Sequence, residues 1–260
     1  SLCEAEDWGI ISLQGQEGLK NFIAIKALGL NTVCNLSTLA NFVPCISKMS
    51  NLHKIMLGHI FKGRTTTDMR RSLLTMDKVY FLNVYLKLLL RCLKTPLKFL
   101  SISLYKFSQS DLDSFAQWSH CQLNHLYLRG VILIDLNFML LKFPSESVAD
   151  PLEALELEDC RMKDLSFRVL LPALNQCSWV TNINFYDNDI STNVLKDFLC
   201  HTTNLSKMTK EHTAPKEVYN HFDYISVEEF SQCCTDLNNT LITVRQPKST
   251  CFGSNACYDC

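Results

Sequence analysis

Thirteen cysteines and seven histidines stand among the 260 residues, enough for nucleophilic or metal chemistry if their spacing allows it. A thiol nucleophile needs a base held against it, and the pairs on offer are Cys160 or Cys177 with His125, His201 or His212. None of these pairs falls in a motif. No glycine-rich loop is shaped to cradle a phosphate, and no His-Glu-x-x-His helix offers a metal site. Cys257 and Cys260 form a C-x-x-C pair with Cys251 six residues earlier, one ligand short of a structural zinc site. The chemistry to expect is recognition, with no enzymatic activity, cofactor or metal.

The elements that would position a recognition surface are written as a repeat. Leu152, Leu155, Leu157, Cys160 and Met162 occupy the spacing L-x-x-L-x-L-x-x-N/C-x-L, and Val180, Ile183, Phe185, Asn188 and Ile190 occupy it again 28 residues later. Upstream, Leu123, Leu126, Leu128, Val131 and Leu133 fit, as do Leu97, Leu100, Ile102, Tyr105 and Phe107, so the four anchors are separated by 26, 29 and 28 residues. A period in the twenties with this pattern is a leucine-rich repeat. The alternating leucines make a short strand with one apolar face. The Asn or Cys at the ninth place lies at the following turn, where a buried polar group must find backbone partners in adjacent coils. The expected fold is an α/β leucine-rich-repeat solenoid, a horseshoe with a parallel sheet on the concave face and helices outside.

Along the chain, residues 1–24 read as an incomplete N-terminal coil, 25–204 as the repeats, 205–250 as a C-terminal cap and 251–260 as a loose Cys-containing tail. Ile25, Leu28, Leu30 and Val33 begin the pattern, Ser37 is a helix N-cap, and Pro44 shortens the helix that follows. Leu52, Ile55, Leu57 and Ile60 make the next strand. A polar loop from Gly63 to Asp68 then precedes an irregular coil aligned on Leu74, Met76, Val79 and Phe81. Helices are expected over Val84–Leu93, Ser110–Trp118, Leu136–Lys142, Leu165–Leu174 and Asn193–Cys200, capped by Ser108 or Ser110 and by Ser191. Glu211–Asn220 shows no period, Val227–Leu237 reads as helix, and Leu241–Val244 as a last strand.

With 25 basic against 26 acidic residues, the chain lacks the charge of a nucleic-acid or membrane-surface binder. No apolar run reaches the roughly 18 residues of a transmembrane helix, and no cleavable signal is legible. Cys121, Cys177 and Cys200, each in a helical half of a repeat or at its end, read as buried free thiols of a reducing compartment. A cytoplasmic protein, with the nucleus also open to it, is expected.

Strand alternation turns the residues between the leucines to the concave surface: His125, Tyr127 and Arg129, then Ala154, Glu156 and Glu158, then Asn182, Asn184 and Tyr186. With adjacent strands about 4.8 Å apart, these rows make one partner-binding patch with Tyr127, Arg129 and Tyr186 as anchors. The alternative is that Arg129 pairs with Glu158 or Glu156 and the patch is a solvated surface.

Three runs carry a resemblance: Leu86 to Ser103 (LKLLLRCLKTPLKFLSIS), Leu171 to Ser178 (LPALNQCS) and Ile183 to Ser191 (INFYDNDIS). In these words between its leucines, the chain resembles the PRAME family, preferentially expressed antigen of melanoma and its oogenesin-like relatives, over roughly residues 25 to 250. The resemblance implies a ribonuclease-inhibitor-like horseshoe that binds proteins as the substrate receptor of a cullin-RING ubiquitin ligase, with elongin and cullin as partners. It also implies roles in repression of retinoic-acid-receptor transcription, apoptosis and proliferation. The elongin-binding box, a Thr/Ser/Pro-Leu-x-x-x-Cys helix, has no match: Thr38-Leu39 is followed by Val43 in place of Cys, and Ser103-Leu104 by Ser108. The family's L-x-x-L-L helix is present as Leu86, Leu89 and Leu90, which read equally as the inward face of a repeat helix. The alternative function is a ribonuclease-inhibitor-like binder that inhibits an enzyme.

Overall fold

A computed structural model of the chain describes residues 2–3, 11–12, 25–31, 43–58, 80–81, 83–103, 105–116, 121–133, 152–202, 205, 210–213, 215–216, 226–244 and 251–252. The cap at Ser37, the Gly63–Asp68 loop, the strand positions Leu74, Met76 and Val79, the Leu136–Lys142 helix and the Cys257/Cys260 pair lie outside the described residues. The fold is mixed α/β, and its chain divides into two compact units, Ser1–Tyr127 and Leu128–Cys260.

In the first unit, β1 (Leu2–Cys3) and β2 (Ile11–Ser12) form a small antiparallel pair. Strands β3 (Ala27–Asn31), β4 (Lys54–Gly58), β6 (Leu97–Ser103) and β8 (Cys121–Arg129, whose last two residues belong to the second unit) follow one another across the sheet. The first three are parallel, with Ala27 opposite Lys54 and Lys54 opposite Phe99. Between them in sequence, β5 (Tyr80–Phe81) and β7 (Tyr105–Lys106) make a separate parallel pair. Gly58 is required where β4 meets β6: its φ is +141°, and a Cβ there would stand 2.7 Å from the Ser103 carbonyl oxygen. Helix α1 (Asn83–Cys92) buries Leu86, Leu89 and Leu90, so the L-x-x-L-L leucines belong to the core. Helix α2 (Gln109–Ala116) begins at a reciprocal cap: the Ser108 hydroxyl accepts from the Asp111 N–H at 3.3 Å, while the Asp111 carboxylate accepts from the Ser108 N–H at 2.8 Å. Pro44 sits in a helical stretch that covers 43–46 among the described residues.

In the second unit, β9 (Ala154–Glu158), β10 (Asn182–Asn184), β11 (Lys210–Thr213) and β12 (Cys251–Phe252) run parallel, with Ala154 opposite Asn182, Asn182 opposite Lys210 and His212 opposite Cys251. The two steps from Ala154 to Lys210 keep the 28-residue spacing of the apolar pattern. Helix α3 (Asp164–Asn175) buries Phe167, Leu170, Leu171 and Leu174, and α4 (Thr192–His201) buries Val194, Leu195, Phe198 and Leu199. Phe167, Phe185 and Phe198 meet edge to face with centroids 4.7 to 5.6 Å apart, an arrangement that contributes about 0.5–1.5 kcal/mol per pair beyond the area buried. Helix α5 (Val227–Val244) joins α4 through Leu237 and Leu241, both fully buried, and through Lys196 Nζ donating to Asp236 at 2.9 Å. No helix among the described residues is long and apolar enough to cross a membrane.

Three expectations for the C-terminal region are corrected. Leu241–Val244 is not a strand but the end of α5, because Leu237 and Leu241 stand four apart on one buried helical stripe. Lys210–Thr213, which shows no apolar period, is nonetheless a strand in register, since parallel pairing is carried by the main chain. Cys251–Phe252, expected in a loose tail, adds a further strand, so the pairing of strands passes the expected repeat boundary at 204.

Two backbone devices recur from coil to coil. Where L-x-x-L opens a strand, one carbonyl accepts from two successive N–H groups of the next coil: Lys26 from His53 and Lys54, His53 from Lys98 and Phe99, Glu153 from Thr181 and Asn182. Where the strand ends, Gly130, Asp159 and Asp187 occupy the same repeat position and all take the left-handed conformation, with φ of 62°, 51° and 59°. Gly, and less readily Asp, tolerates it.

In the second unit, the ninth-place residues Cys160 and Asn188 close their turns with side-chain bonds. Asn188, 5% exposed, accepts from the N–H groups of Cys160 at 3.1 Å and Met162 at 3.0 Å, and its amide N–H2 donates to the carbonyls of Leu157, Phe185 and Tyr186. Cys160 does a lesser version of this, its thiol donating to the carbonyls of Leu128 at 3.2 Å and Glu158 at 3.4 Å. Just beyond, the Ser191 hydroxyl caps α4 by accepting from the Val194 N–H, and the Ser191 N–H donates to Asp164 at 2.7 Å. Burial pushes the Asp164 carboxyl up, but that hydrogen bond, with Lys216 and Arg168 nearby, holds it below the usual carboxylate range. Asn188→Leu strands at least two buried N–H groups, and each costs about 1–3 kcal/mol. A urea midpoint unchanged by Asn188→Leu would refute this accounting.

Candidate interaction surface

The thiols are placed for structure. Cys160 is buried, its thiol donating to backbone carbonyls, and burial pushes that thiol well up against a backbone hydrogen bond from Val131. Cys177, part-buried at the end of α3, donates to the Ala173 carbonyl and is raised by burial to about 11. A nucleophile needs the opposite shift. His201 is exposed and donates from Nδ1 to the Asp197 carbonyl at 2.7 Å, in a hydrogen bond within its own helix. Cys200 is corrected: it is exposed, not buried, because the inward stripe of α4 is Val194, Leu195, Phe198, Leu199 and Thr202, and the helical turn carries position 200 outward.

The residues expected to bind a partner divide between the two units. In the first, His125 and Tyr127 lie beside Phe99, which sequence alternation did not single out: its ring centroid is 5.0 Å from that of Tyr127, edge to face, and 5.8 Å from that of His125. Lys54 stands over the Phe99 ring with Nζ 4.4 Å from the centroid, a cation–π contact. Phe99 was legible as the second x of its L-x-x-L, the position His125 takes in β8.

In the second unit, Arg129, Glu156, Glu158, Asn182 and Asn184 form a polar ladder. Glu158 is only 5% exposed, and one of its carboxylate oxygens accepts from both Arg129 Nη2 and, at 3.1 Å, Asn184 Nδ2. Asn182 Nδ2 reaches Glu156 Oε1 at 3.4 Å. Arg129 therefore already has a buried partner, and the expectation that Arg129→Glu would leave stability untouched does not hold: a second carboxylate would face Glu158. Ala154, placed in the row by alternation, is buried. Tyr186 lies past the end of β10, where the Asn184 side chain accepts from its backbone N–H at 2.9 Å. Burial pushes the Glu156 carboxyl up; Arg129 opposes this, Glu158 adds to it, and the Asn182 amide opposes it.

The comparisons follow this geometry. Residues 18–260 match the PRAME C-terminal domain. The chain is 50% identical to mouse "Preferentially expressed antigen in melanoma-like protein 7" over 99% of its own length and 58% of that protein's. It is 33% identical to human "PRAME family member 17", over 91% of this chain and 54% of the relative, and 35% identical to mouse "Oogenesin-3", over 92% and 52%. The chain spans about half the length of the curated relatives it matches.

Two outcomes test the site. Under native conditions an alkylating reagent should modify Cys200 well before Cys160 or Cys177, with Cys160 reacting only on unfolding; mass spectrometry of a labelling time course showing Cys160 first would contradict the burial. The raised Glu156 pKa means the folded state holds that proton more tightly than the unfolded chain. Its contribution to stability is full below the unfolded value, roughly 4.3, and is lost as pH rises through the folded value. Glu156→Gln should thus gain stability relative to wild type between pH 4 and 7, and parallel urea-stability profiles for the two proteins would contradict it.

Proposed function

The chain belongs to the PRAME family, and from that premise we propose that it is a non-enzymatic protein-interaction module of leucine-rich repeats that presents helix-free sheet surface to a protein partner. The observation that carries this reading is the recurrence of strand, turn and helix in the second unit at a constant 28-residue register, with apolar residues under the helices and Glu, Asn and Arg on the other face. A repeated coil of this kind needs its neighbours to bury its core and leaves one broad face for binding. In the second unit the residues of that face are Arg129, Glu156, Glu158, Asn182, Asn184 and Tyr186, and in the first unit His125 and Tyr127 hold the equivalent strand positions.

In this reading the bound protein is a substrate, and the chain serves as the receptor that brings it to a cullin-RING ubiquitin ligase through elongin and cullin. Transcriptional repression, apoptosis and proliferation are the processes it would affect, in the cytoplasm and the nucleus. The support is the family resemblance together with relatives that run to about twice this length. No segment of this chain matches the elongin-binding box, so assembly is a property to test on the protein at full length.

The test is capture. Affinity purification of the full-length protein from cells should bring down elongin and cullin subunits with the substrate. Stoichiometric co-purification of one tightly held enzyme and no cullin would instead favour the inhibitor. Once the partner is in hand, Tyr127→Ala and Tyr186→Ala should each weaken it at least tenfold, about 1.4 kcal/mol, in variants that circular dichroism shows to be folded, although Tyr127→Ala also gives up the Phe99 ring contact and some stability with it. Full-strength binding by both would move the site off this face.

A further inference from the structure

The two units carry opposite charge. Ser1–Tyr127 holds 14 Lys and Arg against 8 Asp and Glu, whereas Leu128–Cys260 holds 11 against 18. Three of the first unit's cations, Lys26, Lys54 and Lys98, recur at the strand openings of successive coils. The two positions between the leucines of L-x-x-L read Lys26-Ala27, His53-Lys54, Lys98-Phe99 and Asn124-His125 in successive coils. Lys26, His53 and Lys98 are all exposed and are tied into one transverse row by the shared carbonyl acceptors of Lys26 and His53. Among the described residues of this unit, the only carboxylates are those of Asp111 and Asp113, both on α2. No described ion pair engages Lys26, Lys54 or Lys98.

Resting on the reading of this face as a protein-binding surface, we infer that the first unit docks an acidic polypeptide segment, whose carboxylates meet the row of Lys26, His53 and Lys98 and whose apolar side chains rest against Phe99 and Tyr127. Charge complementarity selects this occupant. Lys26 and Lys98 are two strand steps apart, roughly 10 Å, and a segment in the polyproline II conformation, with three residues per turn and about 3.1 Å rise per residue, returns residues three apart to one face at about that distance. Acidic side chains at every third position therefore fit the row. Nucleic acid fits it less well: one face of Phe99 is covered by Lys54 and its ring is met by the edge contact with Tyr127, which leaves no platform for stacked bases.

The test uses the whole chain and a short fluorescein-labelled peptide with Glu at every third position and Leu between, its Gln counterpart, and a labelled thymidine oligonucleotide of equal charge. Binding of the Glu peptide, loss of binding for the Gln peptide, and weakening with added salt are the expected results. The double variant Lys26→Glu with Lys98→Glu should weaken the Glu peptide at least tenfold, and Lys26→Gln with Lys98→Gln should do so less; if circular dichroism shows the reversal variant unfolded, the Gln pair is read in its place. Three results overturn the inference: undiminished peptide affinity in a folded variant pair, tighter binding of the oligonucleotide than of the peptide, or salt-sensitive self-association that the variants abolish, which would make a second copy the occupant. No binding of the Glu peptide overturns it too. Capture of elongin and cullin, and the Tyr186→Ala result in the second unit, stand apart from this row, so its failure does not carry the broader reading down with it.

Discussion

A strand that turns into a helix at every coil leaves main-chain N–H and C=O groups at the corner that neither element can pair, and in the second unit the Asn188 side chain takes up five of them. A carboxamide is the side chain that both accepts and donates in one plane, so it can bind the corner before it and its own corner together. Cys160 performs the job with weaker thiol bonds, yet its own corner is also served by Asn188, whose Oδ1 accepts from the Cys160 and Met162 N–H groups. The register of β9 against β10, the turn at Asp159 and the entry to α3 all follow from that arrangement. The apolar core could form in several ways, whereas the corner admits one.

Outside that corner the helices are fastened by charge. Arg168 of α3 pairs with Asp197 of α4 at 2.6 Å, and Lys196 of α4 with Asp236 of α5 at 2.9 Å. Both pairs are substantially exposed, so each adds little stability on its own. They do fix which helix neighbours which. In the ladder of the second unit, Glu158 is held by both the Arg129 ion pair and the Asn184 amide, whereas Glu156 has one hydrogen bond, from the Asn182 amide at 3.4 Å, and feels Arg129 without being paired to it, so burial prevails on it.

Legibility in the sequence followed the leucines. Strands whose inward residues are Leu, Ile and Val, such as β4, β6 and β9, are plain in the apolar spacing, and so are the helices that cover them. Strand β11 was illegible because its pairing is made by the backbone of Lys210–Thr213, where the positions expected to hold leucine carry Glu211 and Thr213. The end of α5 was misread because Leu241-Ile242-Thr243-Val244 has the composition of a strand, and only packing against α4 makes it helical. At the surface, alternation correctly turned Glu156, Asn182 and Asn184 outward. It could not say that Glu158 would be covered or that Phe99 would gather His125 and Tyr127, since both depend on rotamers and on neighbours far away in sequence.

The constant 28-residue step of β9, β10 and β11 also has a mechanical meaning. Parallel strands held in sequence order can be peeled from one end, each detachment freeing a single coil while the corner bonds of the next remain made. A coil of that length drawn straight spans about 95 Å. Pulled by its ends, this part of the molecule would lengthen in equal increments, a ratchet of graded extension rather than one rupture, and a protein so built can yield to a tug by one coil and then rewind.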